Sequence, residues 1–390
     1  MTEQGVFTNT EMERVVYGEP CAETLRAEAE RLGAERVFLL VSRSLNQNTE
    51  VIAGVRDALG GRYAGEYDGM PPHTPRDKAI EAAAAAREVN ADLLVTIGGG
   101  SVTDAGKMMQ LCLRHDITEM DQLDPFRMTV AEDGTRHRPQ FEGPQVRQIT
   151  VPTTLSGGEF NQSAGCTDPR IKVKQPYSHR LMMPRAVVLD PAITVHTPLW
   201  LWLSTGVRAL DHAVESLCSH EATAHSDASA MHALRLLTQG LPRSAEAPED
   251  LQARLNCQTG VWLSMGHNQT GVPLGASHGI GHVLGGSCGV PHGHTSCVML
   301  PYVLSYNKQV NAGRQALVSE AMGRPGEDAA QVVGDFIAGL GMPRTLREVG
   351  VERAQFDLIA TNSMHDRCIH TNPRPIKSTG DVMEILEMAG

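Results

Sequence analysis

The order of β-rich and helical segments is the feature that most constrains the fold of this 390-residue chain. Up to about residue 190, short apolar runs such as "RVFLLVS" and "ADLLVTIGGG" alternate with helical runs such as "PRDKAIEAAAAAREVN". Apolar strands separated by helices are typical of a parallel sheet covered on both faces. Beyond Pro191, helical periodicity dominates, as in "LWLWLSTGVRALDHAVESLCS". The sequence therefore predicts an α/β domain over residues 1–193, an all-α domain over residues 194–390, and a ligand cleft between them.

A long polar segment interrupts this alternation. Residues 117–144, "ITEMDQLDPFRMTVAEDGTRHRPQFEGP", lack the periodicity of a helix or a strand. Within them, the Asp133–Gly134 pair suggests a hairpin turn. Segments of this length without secondary structure of their own are more often functional or mobile than inert. The sequence leaves open whether this insertion has a function or is an excursion over the surface.

The net charge and the lengths of the apolar runs limit which kinds of partner the protein is expected to bind. Lys and Arg number 34 and Asp and Glu number 45, so the formal net charge is −11. We expect no nucleic-acid partner, because no basic excess is available to displace counterions. A local basic pocket for a small anionic substrate is compatible with this charge. Runs of about 18 apolar residues are absent, so we expect no membrane span.

The cysteines and the first residues bear on the compartment. The eight cysteines are scattered and form no CxxC pair, which is typical of reduced thiols rather than of a disulfide framework. The opening residues, "MTEQGVFTNTEMERVVYGEP", contain no apolar signal-peptide core. We therefore expect a cytoplasmic protein.

Three consecutive glycines stand at a predicted strand-to-helix junction. In "LLVTIGGGSVTDAGK", Gly98, Gly99 and Gly100 follow an apolar strand and precede a helix. Glycine lets the backbone approach an anion closely, and a helix N-terminus offers unpaired amides and a positive dipole end. Ordinary helix capping is the alternative, since Ser101 and Asp104 have the spacing of a capping box. Three glycines in a row favour a phosphate-binding loop.

Histidines are concentrated in one stretch of the helical half. Four of the sixteen lie within eighteen residues, "SHGIGHVLGGSCGVPHGH". His278 and His282 are four residues apart and share a helix face. Upstream, "STGVRALDHAVES" places Arg208 and His212 at the same spacing. Any one of these histidines could be a hydrogen-bonded core residue, whereas the set indicates a metal or catalytic site.

Five motifs occur together and in a recognisable order. "GGGSVTDAGK", "VPTTLSGGE", "VVLDP", "STGVRALDHAVES" and "HGIGHVLGGSCGVPHG" resemble the iron-containing (group III) alcohol dehydrogenase superfamily over about residues 35–390. The resemblance implies a dehydroquinate synthase-like architecture, with a nucleotide-binding α/β domain, a helical domain, and NADH or NADPH as cofactor. It also implies a dimer, and we expect a homodimer. The implied dinucleotide contacts are Gly99, Gly100, Ser101, Asp104, Thr153, Thr154 and, less directly, Lys172 or Lys174.

Two details resemble one branch of this family. The usual "PTTxGTGSE" is one residue shorter here, "PTTLSGGE", and the tail carries "NPRPI". Both are similar to maleylacetate reductases, which reduce the carbon–carbon double bond of a dicarboxylate in aromatic-ring degradation. The insertion at 117–144 is not typical of that branch.

The metal-binding motif of the family is altered in this chain. Its first element is Asp-x-x-x-His on a helix. His212 is present, but Arg208 stands at the aspartate position. A guanidinium cannot ligate and repels a divalent ion. Asp211 is not expected to replace the missing ligand, because adjacent helical residues point about 100° apart.

The remaining ligand positions are retained. They correspond to His278 and His292, so iron or zinc could be held only on three imidazoles, His212, His278 and His292. His282 corresponds to the family histidine near the nicotinamide. Because a fixed cation adjoins the three imidazoles, we expect the metal to be absent. Arg208 would then supply the positive charge beside the substrate oxygen, and a histidine would donate the proton.

The sequence thus favours one function and leaves two others open. The favoured function is an NAD(P)H-dependent reductase acting on an unsaturated oxo-dicarboxylate or a similar anion. The second is a metal-dependent alcohol or aldehyde dehydrogenase. The third is a binding or regulatory homologue without turnover, since fold alone does not settle the reaction. Arg208 and Arg374 of "NPRPI" are the expected contacts to substrate carboxylates, with Lys377 as a weaker candidate.

The first testable prediction concerns the cofactor. Many NAD-preferring relatives carry an aspartate after the first long strand, which repels a 2′-phosphate, whereas this chain has Arg43 in "LLVSRSLNQ". We expect kcat/KM with NADPH to lie within about tenfold of that with NADH. Steady-state assays with both cofactors measure the ratio. An NADH preference above roughly 100-fold, about 2.7 kcal/mol, would contradict a role for Arg43.

Overall fold

The computed structural model describes residues 6–130 and 136–390. The chain forms two compact units, one of Thr10–Thr197 and one of Pro198–Gly390 together with Met1–Asn9. The sequence-based boundary at 193/194 assigned residues 194–197 to the helical half, whereas they belong to the α/β unit. None of the helices in the described ranges combines the length and the apolarity needed to cross a membrane.

The α/β unit is built on a parallel sheet of six strands in the order β1-β10-β7-β4-β2-β3. The strands of the unit are β1 Arg14–Tyr17, β2 Val37–Val41, β3 Tyr63–Tyr67, β4 Leu93–Gly98, β5 Thr129–Val130, β6 Arg136–His137, β7 Arg147–Pro152, β8 Ser163–Asp168, β9 Val173–Ser178 and β10 Ala186–Leu189. Strands β5 and β6 form one antiparallel pair, and β8 and β9 form another.

Helices cover both faces of the large sheet. They are α1 Cys21–Arg31, α2 Arg43–Asn48, α3 Val51–Leu59, α4 Arg76–Glu88, α5 Gly100–Arg114 and α6 Pro191–Thr194. Alternate residues of β2 enter two separate cores: Phe38 and Leu40 pack on one face, and Val37, Leu39 and Val41 on the other. The expected parallel sheet with two covered faces is confirmed.

The described parts of the insertion pack against the α/β unit. Ile117 and Leu123 are buried in the same core as α4 and α5. Phe126 and Phe141 make an edge-on contact with ring centroids 5.2 Å apart. Met120–Phe126 forms a 3-10 helix, and β5 pairs with β6 farther along. The expected turn at residues 133 and 134 lies outside the described residues.

The second unit is helical, as predicted. Its helices are α7 Leu199–Cys218, α8 Ala224–Glu246, α9 Leu251–Ser264, α10 His267–Thr270, α11 Ala276–Cys288, α12 His292–Ala321, α13 Ala329–Gly339, α14 Phe356–Ser363 and α15 Thr379–Ala389. Helix α7 is buried from Trp202 to its last residue and packs against α8, α9, α11 and α12. Every side chain on α7 from that point onward must therefore find its partners inside the protein.

Short 3-10 helices lie between these elements. They are Gly60–Arg62, Met120–Phe126, Gly158–Phe160, Arg180–Met182, Arg347–Val349, Arg353–Gln355 and Ile369–Thr371.

The second prediction concerns the packing of α5 on the sheet. A Cβ at Gly106 would stand 2.4 Å from Cγ2 of Thr96 and 2.9 Å from the side-chain amide of Gln148. That amide donates hydrogen bonds to the Thr96 and Thr150 hydroxyls, so it has little freedom to move. We expect Gly106→Ala to destabilise the protein by about 1–3 kcal/mol through overpacking.

The midpoint of urea denaturation measures this effect. Gly54→Ala is the matched control, because Gly54 lies inside helix α3 with nothing within 4 Å of its virtual Cβ. Alanine has the higher helix propensity, so the control is expected to be neutral or stabilising. Equal midpoints for the two variants would contradict the packing argument.

Candidate active site

The glycine loop forms a cradle with the segment after β7. Gly99 is the N-cap of α5 and Gly100 its first residue. A Cβ at Gly100 would lie 3.0 Å from the Ser156 hydroxyl, and one at Gly99 3.1 Å from Cγ2 of Thr154. The Thr153 amide donates to the carbonyl of Gly98 (3.0 Å). Bare backbone and the N-terminus of a 15-residue helix thus stand beside two threonines, an arrangement suited to a dinucleotide phosphate.

The capping-box interpretation of Ser101 and Asp104 is wrong. Because Gly99 is the N-cap, Ser101 lies inside the helix and its hydroxyl accepts a hydrogen bond from the His73 amide (3.0 Å). Asp104 accepts from the Gly165 amide (3.2 Å), which belongs to β8. Asp104 therefore joins α5 to the β8–β9 hairpin instead of capping its own helix.

The remaining cofactor candidates occupy different places. Lys174, on β9, lies 3.6 Å from the Asp104 carboxylate, so the structure brings these two together. Lys172 is exposed in the turn of the same hairpin with φ +56°. Arg43 begins α2 directly after β2 and lies 3.8 Å from Asp68. Because β2 and β4 are parallel neighbours, Arg43 and the glycine loop follow carboxyl ends at the same sheet edge.

Two buried ionisable groups near this loop were missed by the sequence reasoning. The Lys107 ammonium donates to the carbonyls of Gly158 (2.7 Å) and Ser163 (2.8 Å), and burial lowers the pKa of Lys107. Burial raises the pKa of Glu159 to about 7. Lys107 ties the segment after β7 to α5, which stabilises the cradle. Its place in "GGGSVTDAGK" was visible, but its burial depends on the packing of β8.

Arg208 lies at the centre of the second group of residues, in the helical unit. Its side chain is 3% exposed. One guanidinium nitrogen donates to the Ser296 hydroxyl (3.0 Å) and lies 3.7 Å from the Asp211 carboxylate. The other terminal nitrogen is 3.5 Å from Nε2 of His282. The guanidinium is therefore a buried cation whose nearest carboxylate is beyond direct hydrogen-bond distance.

Asp211 belongs to the site through contacts with other helices, which the sequence-based argument did not consider. Its Oδ2 accepts hydrogen bonds from Ser277 (2.8 Å) and Ser296 (2.6 Å) and lies 3.5 Å from Nδ1 of His278. Burial raises the pKa of Asp211, and Arg208 opposes that shift. The angle of about 100° between adjacent helical residues keeps the Asp211 side chain away from that of His212 only. Asp211 can still contact Ser277 and His278, because these residues lie on another helix, α11.

Glu215, one turn after Asp211, caps the start of α11. It accepts from the amides of Gly275 (2.9 Å) and Ser277 (2.8 Å) and lies 2.7 Å from Nδ1 of His278. Burial raises the pKa of Glu215. The carboxylate thus fixes both the helix end and the orientation of the His278 ring, with Nε2 on the opposite side.

A second carboxylate–imidazole pair orients His282. Its Nδ1 lies 2.9 Å from Oδ2 of Asp366, a residue that the sequence reasoning missed. Burial opposes ionisation of Asp366, but the hydrogen bond and charge of His282 outweigh it and hold the pKa of Asp366 below its usual value. No spacing rule connects these residues, because 84 positions separate them.

The predicted histidines form a series of neighbouring rings. The centroids of His212 and His278 are 4.7 Å apart, and His282 lies 6.2 Å from both His278 and His292. His267 extends the series beyond His212 at 5.8 Å and was not predicted. Burial, followed by the charge of Arg208, lowers the pKa of His212 and of His278 well below the usual value. These two imidazoles are therefore neutral at pH 7.

These residues can be tested for their fit to a metal ion. Asp211, Glu215 and His278 offer ligand atoms within 4.8 Å of one another, as do His282, Asp366 and Cys368. In the first group, however, both carboxylates already accept hydrogen bonds from protein groups, and the Arg208 cation adjoins Asp211. A divalent ion would face electrostatic repulsion there. This first group therefore suits a divalent ion poorly, and it is not the set of His212, His278 and His292 that the sequence motif implies.

The side chain of Arg374 and the backbone amide of Lys377 have partners within the helical unit. The Arg374 guanidinium forms two hydrogen bonds with Glu384, at 3.0 and 3.1 Å, and its carbon Cζ stands 3.7 Å from the ring centroid of Tyr306. The Lys377 amide donates to Asp381 (3.0 Å). Glu384 would compete with a substrate carboxylate for Arg374, so Arg208 is the stronger candidate for substrate recognition.

A glycine loop at the start of a helix on a parallel sheet, and a buried cation among histidines, are compatible with an oxidoreductase. Residues 12–191 match the family model of iron-containing alcohol dehydrogenases, and residues 202–390 match that of the Fe-containing alcohol dehydrogenase family, C-terminal. The chain belongs to the iron-containing alcohol dehydrogenase family.

Individual relatives include fungal and bacterial proteins. Dehydrogenase FUM7 of Gibberella moniliformis is 34% identical over 96% of this chain and 95% of its own length. Maleylacetate reductase 1 of Rhodococcus opacus is 31% identical over 98% and 96%. The crystal structure of maleylacetate reductase from Agrobacterium tumefaciens, 26% identical, superimposes with a TM-score of 0.83 over 100% of this chain and 98% of that one. The resemblance to the family and to its maleylacetate reductase branch is confirmed.

Proposed function

We propose that the protein is an NAD(P)H-dependent reductase of the maleylacetate reductase type that works without a metal ion. Its substrate would be an unsaturated oxo-dicarboxylate or a similar anion formed in aromatic-compound degradation. The observation that carries the proposal is Arg208, a buried cation at the position of the family's anionic metal ligand. The similarity to maleylacetate reductases supports the substrate class.

The glycine cradle would hold the diphosphate of the cofactor, with Gly99, Gly100, Thr153 and Thr154 in contact with it. The nicotinamide supplies the hydride. When hydride adds to a double bond conjugated to a carbonyl group, negative charge develops on the carbonyl oxygen. Arg208 would stabilise that charge, because its guanidinium is desolvated and its partner Asp211 lies 3.7 Å away, beyond hydrogen-bond distance.

His282 would donate the proton that completes the reduction. Asp366 holds Nδ1 of its ring, so Nε2 faces Arg208. A carboxylate in this position fixes the tautomer and stabilises the protonated ring. His212 and His278 are too deeply buried to carry a charge at neutral pH and would serve to shape the site.

A metal-dependent alcohol or aldehyde dehydrogenase is the second candidate. One observation favours it: Nε2 of His278 is buried and has no hydrogen-bond partner among the described residues, and the His212 ring is its neighbour. Iron or zinc would then use His212, His278 and His292. A binding protein without turnover is the third candidate, and an assay of NADH and NADPH oxidation separates it from both enzymes. A cytoplasmic homodimer remains part of the proposal, with light scattering as the test of its oligomeric state.

The third prediction concerns metal content. We expect the purified protein to contain far less than one equivalent of iron or zinc, and chelator to leave turnover unchanged. Arg208→Asp would rebuild Asp-x-x-x-His, so that variant should gain zinc affinity because an anionic ligand replaces a repelling cation. It should also lose the original reductase activity.

Elemental analysis and isothermal titration with zinc measure these effects. Arg208→Met serves as the control, since it removes the cation without supplying a ligand. Stoichiometric metal in the natural protein, with activity lost to chelator and restored by zinc or iron, would support the metal-dependent dehydrogenase instead.

The fourth prediction concerns Asp366. Asp366→Asn keeps the shape of the side chain but removes the charge that orients His282. We expect kcat to fall about 10- to 100-fold, as for other carboxylates that hold a functional histidine. Binding of NADPH should stay unchanged. Stopped-flow turnover and fluorescence titration give the two quantities. Asp357→Asn, at an exposed position on α14, is the control; equal kcat in both variants would exclude Asp366 from the mechanism.

A further inference from the structure

The insertion is attached to the α/β unit by a charged anchor, which we define as Arg76, Asp121, Asp124, Asp168 and Arg170. Arg76 begins α4, and its side chain is fully buried. It binds Asp124 (2.8 Å) of the insertion and Asp168 (3.2 Å) of β8. Arg170 pairs with Asp168 and with Asp121 of the insertion.

Further hydrogen bonds hold Arg76 inside the anchor. Arg76 also donates to the carbonyl of Met120 (3.2 Å), the side chain of Gln175 and the hydroxyl of Tyr177 (2.7 Å). The hydrogen bonds from Arg170 outweigh the burial of Asp168 and lower the pKa of this carboxyl to about 2. Arg76 and Asp168 are buried, and hydrogen-bonded groups in such surroundings hold one another in one geometry.

The anchor determines where the β8–β9 hairpin lies. On one edge, the amide of Thr167 donates to the carbonyl of Thr74 (2.9 Å), immediately before Arg76 and α4. On the other edge, the insertion continues alongside β9, and the amide of Met128 donates to the carbonyl of Pro176 (2.8 Å). The hairpin is thus held between α4 and the insertion.

On the same hairpin, the Lys174 side chain lies across the backbone of Gly165 on the neighbouring strand. A Cβ at Gly165 would stand 2.0 Å from Cε of Lys174, so the lysine chain lies against bare backbone. In this position the Lys174 ammonium lies 3.6 Å from the Asp104 carboxylate on α5. The Gly165 amide donates a hydrogen bond to the same carboxylate. A shift of the hairpin would therefore move Lys174 relative to the start of α5.

We propose that the first part of the insertion, residues 117–129, is a positioning element for the cofactor, which acts through the charged anchor to hold Lys174 beside the phosphate-binding helix. The inference rests on the proposed use of the glycine cradle for NAD(P)H. It assigns the anchor residues a positioning role, since none of them touches the reacting atoms. Its ligand is the anionic diphosphate of the dinucleotide, which the Lys174 ammonium attracts, although the Asp104 carboxylate at 3.6 Å offsets part of that attraction.

Asp124→Asn tests the proposal in the full-length protein. Loss of one anchor charge should weaken NADPH binding about 3- to 10-fold, the range by which network residues modulate a distant site. The kcat at saturating cofactor and substrate should stay within twofold. Asp116→Asn is the matched control, because Asp116 lies just before the insertion and its side chain is 90% exposed. Fluorescence titration gives the dissociation constants, and thermal unfolding reports stability.

A double-mutant cycle with Lys174→Met shows whether the anchor affects cofactor binding through Lys174. If the anchor acts through Lys174, Asp124→Asn should change NADPH affinity less than twofold in the Lys174→Met background. If Asp124→Asn does not fold, Asp121→Asn replaces it, since the Asp121 side chain is 77% exposed and its loss leaves Arg76 paired.

The outcomes are distinct. Natural protein that binds neither NADPH nor NADH would refute the proposed function. Normal binding in the natural protein, together with unchanged affinity in the Asp124→Asn or Asp121→Asn variant, would overturn the positioning role. Weakened binding that persists undiminished in the Lys174→Met background would also overturn it.

Discussion

The burial of one guanidinium, that of Arg208, explains most of the arrangement in the helical unit. Removing an ion from water costs several kcal/mol unless nearby groups compensate. Here the Ser296 hydroxyl accepts a hydrogen bond from Arg208 and donates one to Asp211, so a neutral group bridges the cation and the anion. Asp211 lies 3.7 Å from the cation, beyond hydrogen-bond distance, and the proposed function uses the charge that remains to stabilise a negative oxygen.

Two carboxylate–imidazole pairs surround this cation, and they differ in exposure. Glu215 and His278 are both buried, and the carboxylate is occupied with the first amides of α11. Asp366 and His282 lie nearer the surface, with the His282 side chain 38% exposed. Burial favours neutral groups in the first pair. In the proposed mechanism His282 is the proton donor, whereas Glu215 holds the start of α11.

The proposed cofactor site in the α/β unit would bind a large anion although the protein has a net charge of −11. Backbone amides at a helix start, rather than a basic surface, would attract that anion, so the overall charge says little about this site. Gly99 and Gly100 were identifiable from their place after an apolar strand. The role of Asp104 was not, because the hydrogen bond to Gly165 depends on how the β8–β9 hairpin folds over α5.

The sequence by itself determined the parallel sheet, the helical second half, the glycine loop and the presence of Arg208 in a metal-binding motif. The sheet, the helical half and the loop follow from periodicity and from spacings within one helix or one turn, where the backbone fixes the geometry, whereas the motif that Arg208 alters is implied by the family resemblance. Only the tertiary structure joined Asp211 to His278, Asp366 to His282 and Arg76 to the insertion. Each of these contacts links segments far apart in the chain, and burial rather than local spacing selects the partners. For the same reason, the packing of the insertion could not be read from its irregular, polar sequence.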